Sequence, residues 1–242
     1  MLRSKENEKI NIMPLPIFFE EDIFHNSSFT LTEVTSRHII QVLRMKKGEQ
    51  LQLTNGKGKI VIVKIISEHK KATEVTVLAT SDVAPTSGIT IAISLIKNNS
   101  RFEWFLEKAT EIGVSEIIPL VCERTEKQHF RHNRMKNILV SAMLQSQQAW
   151  LPILNEPVQF KEAIEKSSGQ NKYIAHCMDE ERKQSINQPI IQSSIILIGP
   201  EGDFTKQEIE MAKQNNFIPV SLGITRLRTE TAGIVAAVLL SR

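Results

Sequence analysis

The sequence is short of the residues that would place it outside ordinary globular chemistry. Of 242 residues only two are cysteines, Cys122 and Cys177, and their separation matches no metal-ligand spacing. A disulfide scaffold is excluded, and both cysteines are expected to be buried thiols of a reducing compartment. Charge of one sign is equally scarce. Thirty Lys and Arg against 27 Asp and Glu leave a formal net charge of +3, which excludes a histone-like binder of nucleic acid. A localised basic face remains compatible with that balance. No apolar run approaches the length needed to span a bilayer, and 233–240 is among the longest. The opening residues M-L-R-S-K-E-N-E-K lack the apolar core of a secretory signal, so a cytoplasmic location is expected. Neither G-x-G-x-x-G nor a Gly-Lys-Ser/Thr phosphate loop occurs. No zinc pattern is present, and spacing alone assembles no Ser-His-Asp or Cys-His arrangement.

What is there is enough apolar surface for a sizeable core, 41% of residues, with an ordinary 24% charged. The length suits one large domain or two modest ones. Residues 1–12 are polar and are expected to form a flexible leader. Residues 38–44 have the pattern of a short helix. The run 49–54 alternates as a half-buried strand does, and Asn55-Gly56-Lys57-Gly58 is a strong turn signal. Strands are expected again at 60–66 and 74–78. Residues 13–82 therefore read as a small β-rich module, a barrel. The stretch 83–88 is the linker candidate.

Beyond it, 89–242, the pattern changes. Continuous apolar strands at 89–96, 117–121, 172–177, 195–198 and 218–222 alternate with helices at 102–112, 133–150, 206–215 and 232–240. That alternation implies an α/β fold with a parallel sheet covered on both faces. Two strand-to-helix connections stand out. The first, I-I-L-I-G-P-E-G-D-F-T at 195–205, ends a buried strand in Gly199 and Gly202 and starts a helix with a T-x-x-E capping box at Thr205 and Glu208. Glycines there let backbone approach a ligand, and ligands bind at carboxyl ends of strands in open α/β sheets. The second, L-G-I-T-R-L-R-T-E-T-A at 222–232, holds Arg226 and Arg228 as well as Thr229, which reads as an N-cap, and Glu230. Two arginines beside two glycine loops suggest an anionic partner such as phosphate. Lys97, Arg101, Lys108 and Glu111 fall on the polar side of the 102–112 helix, and Arg124, His132 and Arg134 add a basic patch; each alone reads as a solvated surface.

Taken together, H-I-I-Q-V-L-R at 38–44, K-x-x-x-R-x-E-W at 97–104, E-K-A-T-E-I-G-V at 107–114, E-R at 123–124, I-G-P-E-G at 198–202 and L-G-I-T-R-L-R-T-E-T-A at 222–232 form a specific set. In it the chain resembles the RsmE family of small-subunit ribosomal RNA uridine-N3 methyltransferases, in the SPOUT superfamily. The resemblance implies a PUA-like, RNA-binding β-barrel before a domain with a deep trefoil knot. It also implies a homodimer and S-adenosylmethionine (SAM) as methyl donor. On this sequence the cofactor residues would be His176, Leu197, Ile198, Gly199, Pro200, Glu201, Gly202, Leu222, Gly223, Ile224, Arg226 and Leu227. His38, Arg44, Lys97, Arg101, Lys108 and Arg124 would face RNA. For chemistry the expected residues are Arg228, to offset negative charge on the base or a phosphate, and Glu201 or Glu230, to help remove the N3 proton. The chain departs from the family pattern at Asp203, where a second glycine is usual, and at Gln148, where an arginine is common. The competing classes are a non-catalytic RNA-binding or ribosome-assembly protein, and a SPOUT methyltransferase for another RNA site.

Overall fold

A computed structural model describes residues 15–22, 27–85, 88–126, 129–167, 170–178, 183–186 and 193–241. The leader 1–12 and two residues of the 83–88 linker lie outside these. The chain divides into two units, Met1–Thr54 with Ile60–Ser81, and Asn55–Lys59 with Asp82–Arg242.

In the first unit, strands β1 (Ile17–Phe19), β2 (Ser28–Thr30), β3 (Gln50–Thr54), β4 (Lys59–Ser67) and β5 (Glu74–Asp82) form one sheet in the order β1-β3-β4-β5-β2. β1 runs parallel to β3, while β3 with β4 and β2 with β5 are antiparallel. The alternation read from the sequence is the reason: Leu51, Leu53, Val63, Ile65 and Val75 point into one core with Ile39. The helix expected at 38–44 starts earlier, because Thr32 caps α1 (Glu33–Arg37) by accepting from the Thr35 backbone. It then widens into a π-turn at His38–Val42 and stops before Arg44, whose φ is +56°.

The second unit contains β6 (Ile89–Ser94), α2 (Asn99–Ile112), β7 (Glu116–Val121), α3 (His132–Gln145), β8 (Ile153–Leu154), β9 (Val158–Gln159) and α4 (Phe160–Lys166). There follow β10 (Asn171–Ala175), β11 (Gln184–Ser185), β12 (Ser194–Ile198), α5 (Lys206–Gln214), β13 (Ile218–Ser221) and α6 (Thr229–Leu240). The sheet order is β11-β13-β10-β12-β6-β7-β8, with β9 also on β7, and its pairings are parallel. β12 thus enters the slot between β6 and β10, both earlier in the chain. Alternate side chains feed two cores. Ile91, Ile93, Ile196 and Ile198 meet α2, α3 and α6 on one face; Ala92, Ile195 and Leu197 meet α4 and α5 on the other. The unbroken apolar runs are explained by that double burial.

Several details depart from the sequence expectation. The helix expected through 150 ends at Gln145. The Ser146 hydroxyl donates back to the Ala142 carbonyl, Gln147 turns to φ +55°, and the Gln148 amide donates to the Thr110 and Glu111 carbonyls at the end of α2. Trp150 then lies against Gly58, where a Cβ would come within 2.5 Å of its ring. Thr229 is not an N-cap. It is the first helical residue of α6, and Arg228 holds the cap position with no side-chain capping bond. Lys97 precedes α2, whose N-cap is Asn98. Cys122 is buried as expected, but Cys177 is exposed because β10 has ended two residues before it. β2, β8, β9, β11 and α4 were not anticipated: the strands are two or three residues long, and α4 has no capping side chain.

Candidate active site

The parallel strands β10, β12 and β13 end side by side, so the loops that leave their carboxyl ends converge, as the open α/β rule requires. The loop after β12 is held from four sides. The Arg124 guanidinium donates to the Gly202 carbonyl at 2.6 Å. The Thr229 hydroxyl, buried at the start of α6, donates to the Gly199 carbonyl at 2.9 Å. Phe204 is fully buried beside Phe160. Asp203 sits at φ +63°, a conformation that favours glycine, and its carboxylate accepts the Cys177 backbone N–H at 2.8 Å and its neighbour Phe204 N–H at 2.9 Å. The capping box is present, and its Glu208 does a second job. One carboxylate oxygen accepts from the Thr205 backbone and the other from Glu123, anchoring the loop after β7 that carries Arg124.

Two adjoining cavities open among these loops. The first, about 460 Å³, is walled by His176, Cys177, Leu222, Gly223, Ile224, Arg226 and Leu227. The second, about 330 Å³, is walled by Ile198, Gly199, Pro200, Glu201, Asp203 and the run Arg226 to Thr229. Ala175, Cys177, Arg226, Leu227 and Ala232 belong to both. Each volume suits part or all of a small organic ligand. Gly223 has φ +150° and nothing within 4 Å of where a Cβ would stand.

Two family descriptions match the chain: an RNA methyltransferase domain over residues 84–241 and an RNA methyltransferase PUA domain over residues 31–78. Ribosomal RNA small subunit methyltransferase E of Synechocystis sp. is 30% identical over 218 residues, 87% of this chain and 71% of that protein. The protein of that name from Mesomycoplasma hyopneumoniae is 30% identical over 212 residues, 85% of this chain and 90% of its own. This chain belongs to the ribosomal RNA small subunit methyltransferase E family. A solved structure of such an enzyme from Neisseria gonorrhoeae, bound to S-adenosyl methionine, superposes with a TM-score of 0.82 at 28% identity, covering 93% of this chain and 95% of that one.

For this RsmE-family chain the residues expected from sequence fall into three places. Most cofactor candidates line the two cavities. Leu197 does not: it is fully buried in the core between the sheet and α4 and α5. Gly202 lies against Arg124 instead, with a would-be Cβ 3.3 Å from the Arg124 Cδ. Of the chemical candidates, Glu201 and Arg228 line the second cavity, whereas Glu230 is among the walls of neither. Glu230 is buried, with a carboxylate oxygen 3.6 Å from Arg101 Nε.

The RNA candidates are split. Lys97 meets the loop after β12, its backbone donating to Glu201 Oε1 at 3.4 Å, and Arg101 pairs with Glu230 in the first turn of α6. Arg124 is engaged by Gly202. Lys108 lies further along α2, where hydrogen bonds to Glu107 and Glu111 raise its pKa. It borders a groove of about 930 Å³ between α2 and α3, in which Arg134 is likewise paired with Glu103. That groove is larger than either loop cavity, but its walls carry mutually paired charges rather than convergent donors. His38 and Arg44 belong to the first unit and are exposed there, His38 edge-on to Phe18. Sequence reasoning missed the Thr229 to Gly199 bond and the Asp203 latch. Asp203 carried a signal, being a non-glycine where the family pattern has glycine.

Proposed function

We propose that this chain transfers a methyl group from SAM to N3 of a uridine in small-subunit ribosomal RNA. The observation that carries the reading is the pair of adjoining cavities at the ends of β10, β12 and β13, with Arg228 at the second. The residues fit the donor. The walls come from glycine-bearing loops, and the open position at Gly223 leaves space a side chain would fill. His176, Leu222 to Ile224, Arg226 and Leu227 would hold one part of it, and Ile198 to Glu201 the other.

When bound, SAM supplies an electrophilic methyl on a sulfonium centre. The chain's own part is positioning, because in-line displacement depends on alignment. Uracil N3 carries a proton and is a poor nucleophile until that proton leaves. Of the two carboxylates, Glu201 and Glu230, we assign Glu201 to accept it, a role supported by its position on the wall of the second cavity. Arg228 offsets the negative charge that develops on the base. Its placement has a thermodynamic signature. A cation at the positive end of α6, in a cap position it does not cap, is unfavourable for the helix. Residues kept against local preference are expected at functional sites. N3 lies on the Watson–Crick edge, so the target base is unpaired or flipped out.

Residues 13–82 are assigned to RNA binding and 89–242 to methyl transfer, with 83–88 as linker. His38 and Arg44 serve the first role. A trefoil knot is supported by the entry of β12 between two earlier strands. A homodimer is supported by α6, which is apolar on all sides and keeps Ile234, Val235, Val238 and Leu239 only half-buried, and by the exposed Trp104 on the neighbouring α2. No helix among the described residues is long and apolar enough to cross a membrane, and a ribosomal RNA substrate supports a cytoplasmic location. The test is nucleoside mass mapping of small-subunit RNA incubated with the purified chain and SAM. N3-methyluridine at one site is expected; its absence overturns the reading. Methylation elsewhere selects the other SPOUT activity, and RNA binding without SAM binding selects the assembly protein.

A further inference from the structure

The first turns of two helices meet beside the catalytic loops. Arg101 is the third residue of α2, after the Asn98 cap, whose side chain accepts from the Ser100 and Arg101 backbones. Glu230 is the second residue of α6, two positions after Arg228. Their ion pair is asymmetric: the Arg101 side chain is 41% exposed and the Glu230 side chain 9%. A proton acceptor must reach the proton it takes. Glu230 is covered and lines neither cavity, whereas Glu201 lines the second. A carboxylate at a helix N-terminus facing a guanidinium has two favourable electrostatic neighbours, the positive end of the helix and the cation. Arg101 Nε stands 3.6 Å from Glu230 Oε1, and of the two side chains it is the guanidinium that solvent reaches.

We propose that Glu230 is a positioning residue: its buried carboxylate orients Arg101, and the exposed end of that guanidinium takes an RNA phosphate or base oxygen beside Arg228. The proposal rests on the methyltransferase reading for the identity of the partner. Arg101 otherwise has no local reason to stand there, because a cation in the first turn of α2 opposes the helix dipole. Lys97 extends the same edge, its backbone on Glu201 Oε1 and its Nζ 3.1 Å from Glu126. The basic groups of α2 thus reach RNA through the loop that carries the chemistry.

The test uses the full chain and small-subunit ribosomal RNA lacking the mark. RNA affinity, SAM affinity and steady-state turnover are measured for Arg101→Ala, Glu230→Gln, the double variant and Glu230→Asp. Each single change is expected to weaken RNA binding and raise its KM about tenfold, with kcat at saturating RNA within about threefold and SAM affinity unchanged. The double variant should be no worse than the weaker single, since the two residues act as one unit. Glu230→Asp should recover part of the loss. Additive losses of about a hundredfold would break the coupling and the proposal with it. A collapse of kcat in Glu230→Gln together with loss of the acid limb of the pH profile would make Glu230 the base instead. A fall in Tm with weaker SAM binding and unchanged RNA affinity would reduce the pair to a structural contact. If the unaltered chain binds RNA but transfers no methyl, the methyltransferase reading fails while the RNA affinities still decide the pair.

Discussion

The two loops that wall the cavities are built in opposite ways. The loop after β12 is fixed by the protein's own groups: Arg124 on Gly202, Thr229 on Gly199, Asp203 on Cys177, Phe204 in the core. The loop after β13 has little of this. Ser221 bonds within it to Gly223, Ile224 is fully exposed, and Gly223 faces open space. The first loop is shaped before a ligand arrives, so its ordering entropy is already met on folding. The second leaves groups exposed beside the cavities rather than tied to the rest of the chain. Arg226 belongs to the second kind, and Arg228, proposed to act on the base, stands where the second loop turns into α6.

The comparison breaks most sharply at Arg228. Arg228→Ser removes a cation that the helix does not want and supplies a capping hydroxyl. It should raise stability by about 0.5–1 kcal/mol and yet lower kcat by about a hundredfold or more, with SAM affinity little changed. Calorimetric melting and single-turnover methyl transfer check both halves. Unchanged turnover would remove Arg228 from the mechanism. Next in size is Gly233, which lets α6 settle on the sheet. A Cβ there would stand 2.6 Å from the Phe105 ring and 2.9 Å from Ile93 Cδ1. Gly233→Ala should gain helix propensity but lose more to overpacking, a net loss of about 1–2 kcal/mol read as a Tm lower by several degrees.

These two positions show how much was legible in sequence. The sheet was, because β6 and β12 are buried on both faces and so read as unbroken apolar runs. The capping box at Thr205 was, because its signal is local. The cavity loops were placed by glycines and by family resemblance together. What stayed hidden depends on partners distant in the chain. Thr229 looks like a cap, and only the fold brings Gly199 within its reach. Lys97 and Arg101 look like a solvated helix face, and only the packing of α2 beside α6 puts them with Glu201 and Glu230. The end of α3 was misread because Gln148 turns aside to cap a different helix.

Asp203 sharpens the comparison by loosening the fixed loop. Asp203→Ala loses both backbone acceptor bonds and leaves a non-glycine at φ +63°. SAM affinity should fall about five- to tenfold, about 1–1.4 kcal/mol, less than the full worth of the two lost bonds because they shape the site without touching the ligand. Asp203→Asn keeps an acceptor and tolerates the left-handed backbone, so its loss should be smaller. Asp203→Gly, the family's usual residue, relieves the backbone and loses the latch, and should fall between them. Isothermal titration of the three variants orders them. Equal affinities in all three would mean that the latch does not shape the cavity.

The smallest effect separates the loops through their cysteines. Cys177 is exposed on the wall both cavities share, whereas Cys122 is buried under the anchored loop beside Glu208. Burial first, and then the negative charge of Glu208, push the Cys122 thiol up from the ordinary 9.0 to about 12. A native-state maleimide reaction should therefore label Cys177 alone, more slowly when SAM is present, and reach Cys122 only on unfolding. The same shift fixes a sign. Between pH 9 and about 12 the folded state keeps a proton that the unfolded chain has released. Stability contributed by Cys122 is thus intact below that window and is lost as pH rises through it. Cys122→Ala should flatten the alkaline fall in Tm without touching the neutral plateau's pH independence. An identical alkaline slope in the variant would show that the buried thiol does not carry the shift. Labelling of Cys122 in the native state would show that the β12 loop is no more anchored than its neighbour.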